Sequence, residues 1–507
     1  AAPAEPFNPG NCWVTRLAFE PKAGLGALNA LLAPEIDSGH LRIFLRCKAS
    51  AVETEGERIT GLRALDLEAG RHLRFEFDYV LDATELGDLL ELSNCDYTVG
   101  AESIAETSEP HAQPASAKVH CVQSCTYIFA LERRATGESH VIAEPEGYAH
   151  YRESQPYSFR IHVHGGEIYG EETGWLQYQL FEDMPGTKGP LWKYRRLIEA
   201  GQFPAGHAND VTMFNWPGTD YRDRPLVDLG PEELAAALQD AKRVSLGFIH
   251  WLQTAAPNAS GAPGFPELML RRDVMGSIDG LSKYPYIREC RRIKALKTIT
   301  EQDVAVAYQA GPRAAHFADS IGVGWYPIDI HQAGAGDVGV STRTKPFQIP
   351  LGALIPERLE NLIAANKNIG TTHITTAATA STRSSGISAR RPARSPPGQS
   401  RAGVNRAPYM PTLSNCAPCK PTCSATACRS AGSSTCRIQA PNFRRSSASP
   451  WPPATPAKAI GSHSHPPSRC RPRHAPQFSP PSRPSAALAA MQRSAAPLSQ
   501  QHWRKPV

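Results

Sequence analysis

Two loops rich in small and polar residues each follow a short apolar run, and their composition suits contact with a nucleotide. Residues 79–81 lead into Asp82-Ala-Thr-Glu-Leu-Gly-Asp88, and residues 362–365 lead into residues 366–373. Short apolar runs of this kind are typical of strands that are buried on both faces of a sheet. Dinucleotides lie at the carboxyl ends of parallel strands, where loops and helix N-termini point N–H groups at them. We therefore expect both loops to line a single nucleotide-binding crevice.

In the first loop the candidate cofactor-binding residues are Ala83, Thr84, Gly87 and Asp88. Small side chains let the backbone approach a cofactor, and Gly87 supplies freedom in φ. Asp88 either orients the turn or caps the following helix through its carboxylate. The alternative interpretation is an ordinary strand, turn and helix in which Asp88 is a plain N-cap.

In the second loop the candidate cofactor-binding residues are Asn368, Gly370, Thr371 and Thr372. A glycine permits the closest approach of backbone to a ligand. Gly370 and the two hydroxyl groups therefore suit contact with a cofactor ring or with its phosphate chain. A plain polar turn is the alternative.

Candidate catalytic residues are fewer. His331 lies near Asp329 and Tyr326 in the sequence, and a histidine can serve as a general base near neutral pH. A structural histidine is the alternative. His162 and His164 alternate on a predicted strand and face the same side, but no third ligand accompanies them, so no metal site is predicted.

Several arginines suit the two-pronged binding of a substrate carboxylate. The candidates are Arg16, Arg288, Arg291 and Arg292. An ion-pair or surface role is the favoured alternative for all of them.

The elements that position these residues are predicted from the spacing of apolar residues. Leucines at helical spacing predict a helix over residues 19–36. Residues 41–77 contain several short runs that are typical of strands. A second helix is predicted to start within Asp228-Leu-Gly-Pro-Glu-Glu233, because an early proline and acidic residues mark a first helical turn. This mixture indicates an α/β protein.

The composition changes after residue 376. Residues 377–507 contain no Asp or Glu, so all 48 acidic residues precede them, although the net charge of the whole chain is only +6. A Pro-, Ser- and Arg-rich segment without an apolar period predicts a disordered tail. The alternative function class is a non-enzymatic α/β protein whose basic tail binds nucleic acid.

A shifted reading frame is the favoured explanation of this tail. Codons permitted by Thr376 and the residues after it, regrouped in the neighbouring frame, spell a normally charged segment with a Gly-Glu-Ala-Ala-Gly helix start. One lost base near Thr376 would suffice. Under this hypothesis the basic charge is incidental, and no specific nucleic-acid partner is expected.

Several segments in a fixed order resemble the broad bacterial family of FAD-dependent oxidoreductases. They are residues 8–20, 82–88, 215–221, 285–293, 319–331, 345–352 and 367–373. The resemblance implies an α/β fold with an incomplete Rossmann-type FAD-binding domain and an inserted α+β substrate domain. It also implies that the parent enzyme passes a hydride or electrons between a small organic substrate and FAD.

The resemblance divides the chain into four parts. Residues 1–95 and 311–376 are expected to belong to the FAD-binding domain, residues 96–310 to the inserted domain, and residues 377–507 to the out-of-frame tail. No Gly-x-Gly-x-x-Gly fingerprint follows a strand in the sequence. We therefore expect the front of the FAD-binding domain to be missing and this chain to be inactive.

No apolar run reaches the roughly 18 residues of a membrane span, and the first residues lack the regions of a signal peptide. No membrane partner is expected. Localisation is left open with the cytoplasm slightly favoured, since the true N-terminus is expected to be absent. The oligomeric state is also left open.

Overall fold

The computed structural model describes residues 8–163, 174–203, 209–259, 261–334 and 339–379, together with the backbone of residues 436–439. These residues belong to the first of two units, Ala1–Arg445. The tail predicted over residues 377–507 lies almost entirely outside the described residues. Where the tail is described it is ordered, as the end of a helix at residues 377–379 and a strand at Cys436–Gln439, so the predicted disorder is wrong for these residues. For the rest of the tail the disorder stays a prediction, as does the shifted frame.

The described helices are short, apart from the first and the fifth. They are α1 (Pro21–Asp37), α2 (Asp88–Leu92), α3 (Ile104–Thr107), α4 (Tyr148–Ser154), α5 (Pro231–Thr254), α6 (Arg272–Met275), α7 (Glu301–Val304) and α8 (His373–Thr379). Single 3-10 turns occupy Leu191–Lys193, Ala200–Gln202, Pro217–Thr219, Val306–Tyr308 and Leu351–Leu354.

The described strands begin with a hairpin-rich stretch and become short afterwards. They are β1 (Cys47–Glu55), β2 (Arg58–Asp66), β3 (Arg71–Glu76), β4 (Val80–Asp82), β5 (Tyr97–Thr98), β6 (Phe129–Arg133), β7 (Arg160–Val163), β8 (Gly174–Gln177), β9 (Arg196–Ile198), β10 (Val211–Phe214), β11 (Leu268–Leu270), β12 (Arg292–Ile293), β13 (Ser320–Gly324), β14 (Ile328–Asp329), β15 (Ser341–Thr342), β16 (Phe347–Pro350), β17 (Leu362–Ala364) and β18 (Cys436–Gln439).

Two four-stranded sheets and several strand pairs make up the described β-structure. One sheet has the order β1-β2-β3-β18, and the other has the antiparallel order β11-β6-β10-β9. β4 pairs with β17 in parallel, and this pair joins segments from opposite ends of the described chain. The fold is therefore of mixed α/β character, as the sequence predicts.

α5 covers the antiparallel sheet and closes the larger hydrophobic core. It begins at Pro231, and the Gly230 N–H donates to the Glu233 carboxylate at 3.1 Å, which confirms the predicted helix start. Phe248 on α5 packs 6.4 Å from the ring of Phe129 on β6. Burying each such aromatic side chain stabilises the fold by about 1.5–3 kcal/mol.

The helix predicted over residues 19–36 is confirmed as α1; none of its residues is buried, and Leu25 is 58% exposed. One local prediction is wrong. Residues 79–81 were expected to be buried on both faces, yet Leu81 is 42% exposed. The reason is that β4 is only three residues long and belongs to a two-stranded sheet.

The buried Asn361 fixes β17 beside its neighbours. Its side-chain oxygen accepts from the Ile59 N–H at 2.9 Å, and its side-chain nitrogen donates to the Asp78 carbonyl at 3.0 Å. Its own carbonyl accepts from the Val80 N–H at 3.0 Å. A single amide thus ties β2, the start of β4 and the start of β17 together.

Candidate functional site

The candidate site lies at the edge where β4 and β17 end. Asp82 at the end of β4 lies opposite Ala364 at the end of β17, and the Ala365 N–H donates to the Asp82 carbonyl at 2.9 Å. Both chains run in the same direction, so their carboxyl ends meet at one edge. Residues 83–88 and 365–372 therefore start side by side.

A chain of hydrogen bonds organises the turn after β4. The fully buried Asp82 carboxylate accepts from the N–H of Thr84 at 2.9 Å and from its hydroxyl at 2.7 Å. The same hydroxyl oxygen accepts from the Asp88 N–H at 2.6 Å. Burial raises the pKa of Asp82, and the two bonds from Thr84 oppose that rise. Thr84 therefore holds the turn from within.

Gly87 has the backbone conformation that the sequence predicts for it. Its φ of 69° lies in the left-handed region, and a Cβ there would lie 3.1 Å from the Cβ of Arg291. The N-cap of α2 is Gly87, and Asp88 is the first residue of the helix, with no side-chain cap. The capping role predicted for the Asp88 carboxylate is therefore wrong. Asp88 lies inside the helix, and its N–H, rather than its carboxylate, makes the bond at this end, to the Thr84 hydroxyl.

Residues of the second loop contact the first one directly. The Asn366 side-chain nitrogen donates to the carbonyls of Ala83 at 3.3 Å and of Thr84 at 3.4 Å. The Asn368 side-chain nitrogen donates to the Asp82 carbonyl at 3.0 Å. The two predicted loops thus form adjacent walls at one edge of the β4–β17 pair.

The two walls differ in accessibility. Ala83 is exposed, and Thr84, Asp88 and Asn366 are partly exposed. Asn368 is fully buried, as are the residues that follow it up to the start of α8. The surface that a cofactor can reach in this arrangement therefore belongs mainly to the first loop.

Gly370 faces the protein interior. A Cβ at this position would lie 2.4 Å from the Cβ of Ala295 and 2.8 Å from the carbonyl oxygen of Lys297. Its N–H donates to the Ala353 carbonyl at 2.7 Å. Close packing by itself explains the glycine, and the contact with a cofactor predicted for Gly370 stays a prediction.

Thr371 and Thr372 also use their hydroxyl groups inside the protein. The Thr371 hydroxyl lies 3.4 Å from the Thr376 hydroxyl, and the Thr372 hydroxyl donates to Glu109 at 2.7 Å. The same Glu109 oxygen accepts from the Glu301 N–H at 2.7 Å. Burial raises the pKa of Glu109 to about 7, against the opposing effect of these bonds. Their predicted contact with a cofactor stays a prediction, and the structure gives both residues internal partners.

A buried ionic cluster at the start of α8 was not expected from the sequence. The His373 ring contacts Glu289 at 2.9 Å, and the His373 N–H donates to Glu102 at 2.8 Å. Arg292 is fully buried, bonds Glu102 at 2.7 Å and pairs with Glu289. Burial opposes ionisation of Glu289, but His373 and Arg292 hold its pKa below the ordinary value. The favoured ion-pair role of Arg292 is confirmed.

His331 has a different partner from the one that its neighbours suggest. Its Nδ1 lies 2.7 Å from Asp220, which is almost fully buried and also pairs with Arg288 at 3.0 Å. Burial opposes ionisation of Asp220, but Arg288 and His331 hold its pKa below the ordinary value. Asp329 ends β14, and the exposed Tyr326 precedes it. The grouping of these two with His331 stays a prediction, and Asp220 is the residue that sequence reasoning missed.

Gln123 links the His331 group to the cluster at α8. Its side-chain oxygen accepts from the His331 N–H at 3.2 Å, and its own N–H donates to Glu289 at 3.0 Å. Gln123, Asp220 and Glu289 are far apart in the sequence, so no local pattern signals that they meet.

Within the described ranges no helix is both long enough and apolar enough to cross a membrane. Within them, too, no group of three or more His, Cys, Asp and Glu side chains is placed to hold a metal ion. His164 and the side chain of His162 lie outside what the structure describes.

Comparison with known proteins identifies a family but no individual relative. A family model described as FAD dependent oxidoreductase matches residues 4–388. No curated protein and no solved structure matches the chain. The family match favours the oxidoreductase expectation, whereas the nucleic-acid alternative rests on a tail outside the described residues.

Proposed function

The chain belongs to the FAD-dependent oxidoreductase family, and from this membership we propose that its parent enzyme transfers a hydride or electrons between a small organic substrate and FAD. FAD is the cofactor of the family and supplies the redox chemistry when bound. The residues of the chain hold and orient it. We further propose that residues 1–95 and 311–376 form one Rossmann-type FAD-binding domain around a substrate domain of residues 96–310.

The parallel pairing of β4 with β17 is the observation that carries this proposal. It brings the loop after each strand to one edge, which is where open α/β sheets bind dinucleotides. It also pairs a strand of the first proposed segment with a strand of the last one. An inserted domain between two halves of one sheet accounts for this pairing.

The first loop, residues 83–88, is the part of this edge that a cofactor can contact. In the turn from Ala83 to Asp88, Ala83 is exposed and Thr84 and Asp88 are partly exposed, beside the partly exposed Asn366. Gly87 lets the chain turn without a side chain, and Thr84 keeps the turn fixed before any ligand arrives. We propose that Ala83, Thr84 and Asp88 contact FAD and that Asn368 and Gly370 support them from beneath.

Titration of the purified protein with FAD, followed by flavin fluorescence, tests this proposal. We expect Gly87→Ala to weaken FAD binding by at least about tenfold, or about 1.4 kcal/mol, because alanine strains the left-handed backbone and crowds Arg291. The matched control is Gly56→Ala. That glycine also has a left-handed φ, of 59°, but it lies in the β1–β2 hairpin with open space around it.

Each outcome of this titration has a clear meaning. Weakened binding in Gly87→Ala with unchanged binding in Gly56→Ala supports a FAD site at the turn. Equal FAD affinity in both variants contradicts the proposed site. A wild-type protein that binds no FAD contradicts FAD binding by this chain and agrees with the expectation that the front of the domain is missing.

A further inference from the structure

A small cavity adjoins the proposed FAD-binding turn. Leu86 from that turn forms one side, and Gln123, Ser124, Tyr221 and Glu289 form others. The free space is about 10 Å³, roughly that of one water molecule. A ligand therefore inserts one small polar end here rather than its whole body.

Three buried polar groups on the cavity have no partner among the described residues. They are the side-chain nitrogen of Gln123 and the hydroxyls of Ser124 and Tyr221, and all three residues are almost fully buried. The Gln123 amide cannot turn round without loss, because its oxygen already accepts from the His331 N–H. Buried donors without partners are rare and destabilising in proteins. These groups are therefore available to bond a polar ligand end that reaches the cavity.

The charges around the cavity are already balanced in pairs. Arg288 bonds the Ser124 carbonyl and pairs with Asp220. Glu289 is compensated by Arg292 and by its contact with His373. Asp220 and Glu289 therefore both have cationic partners within the protein, and neither needs a positive charge on the ligand.

The groups that remain for a ligand are donors. The Gln123 nitrogen can only donate, and the Ser124 hydroxyl can donate as well. Burial raises the pKa of Tyr221 to about 12, so its phenol keeps its proton. The exposed Arg224 also lines the cavity and adds a positive charge. Such a set recognises an oxygen acceptor that carries negative charge.

We propose that this cavity binds a carboxylate oxygen of a small organic acid. The inference rests on the proposed function, because Leu86 belongs to the turn assigned to FAD and the acid is then the substrate. The parent enzyme accordingly acts on a carboxylic acid, which is anchored by Gln123 and Ser124 beside the cofactor.

Calorimetric titration of the purified protein with acetate, and with acetamide as its neutral counterpart, tests the inference. We expect acetate to bind and acetamide to bind at least about tenfold more weakly. Gln123→Glu keeps the acceptor for the His331 N–H but turns the donor into a negative oxygen, so acetate binding should be lost. The matched control is Gln155→Glu, because Gln155 also has a side-chain nitrogen with no partner among the described residues but does not line the cavity.

A second variant covers the case in which Gln123→Glu fails to fold. Ser124→Ala removes only a hydroxyl without a partner in the described structure, so the fold should persist while acetate binds several-fold more weakly. Undiminished acetate binding in Ser124→Ala and in a folded Gln123→Glu overturns the inference. So does equal affinity for acetamide, or no acetate binding by the wild type.

Separate titration with FAD distinguishes the two proposals. Acetate binding without FAD binding keeps the carboxylate site and refutes FAD binding by this chain. FAD binding without acetate binding keeps the FAD assignment and refutes the carboxylate site.

Discussion

Replacing Thr84 with valine tests whether one hydroxyl group holds the turn after β4. That hydroxyl donates to the buried Asp82 carboxylate at 2.7 Å and accepts from the Asp88 N–H at 2.6 Å. Valine has nearly the same shape and removes both bonds. The Thr84 N–H bond to Asp82, at 2.9 Å, remains available.

The size of the effect follows from the two lost bonds. A hydrogen bond to a charged group contributes about 1.5–3 kcal/mol, and one between neutral groups about 1 kcal/mol. Asp88 is partly exposed, so water can replace part of the second bond. We expect Thr84→Val to lower the free energy of unfolding by about 2–3 kcal/mol.

The loss should also depend on pH. Burial raises the pKa of Asp82, and the bonds from Thr84 oppose that rise. Removing the hydroxyl therefore raises the folded-state pKa of Asp82 further above its unfolded value. The folded protein then holds this proton more tightly, so the valine variant loses most stability at high pH, where the carboxyl must ionise.

Urea unfolding followed by tryptophan fluorescence measures this loss, with Thr84→Ser as the control. Serine keeps the hydroxyl and should stay within about 1 kcal/mol of the wild type. A shift of the midpoint at constant slope reports stability alone. The reasoning is refuted if the valine variant unfolds like the wild type, or if the serine variant loses as much as the valine variant.

Glu109→Gln should stabilise the protein at pH 8 and change little at pH 4. The folded-state pKa of Glu109, about 7, exceeds the ordinary value of 4.5. The wild type therefore loses about 3 kcal/mol of stability as the pH rises from 4.5 to 7, and glutamine, which does not ionise, avoids that loss. Urea unfolding at both pH values checks this. The control is Glu106→Gln, which should not increase stability, because Glu106 is exposed and its pKa is lowered. Gly370→Ala should destabilise the fold by about 1–3 kcal/mol, since its Cβ would lie 2.4 Å from that of Ala295; an unchanged unfolding midpoint would contradict this packing. Sequencing the gene should show that one inserted base near the codon of Thr376 reopens a long frame, and the restored protein should be yellow with flavin; a gene that no single insertion reopens disproves the shifted frame.

Local patterns in the sequence predict much of the element structure. Pro231 and the acids after it predict the start of α5, and the apolar run over residues 362–365 predicts β17. A glycine in the turn after β4 predicts an unusual backbone conformation there, and Gly87 has a left-handed φ. These features depend on residues within a few positions of each other, so propensity and periodicity are enough to find them.

Partners that are distant in the sequence could not be predicted in this way. His331 pairs with Asp220 rather than with its sequence neighbour Asp329, because the loops that carry the pair meet only after the sheets have packed. Glu109 and Thr372 meet for the same reason. No local spacing encodes such contacts.

The sequence by itself determined the family, the two loops and the residue types that make a FAD site plausible at the ends of β4 and β17. Only the tertiary structure decided which parts of those loops can be reached. Packing against Ala295 and bonding to Glu109 turn Gly370 and Thr372 inward, while Ala83 stays exposed. The physical reason is that burial is a property of the whole assembled core, and it is settled by segments that the chain brings together from far apart.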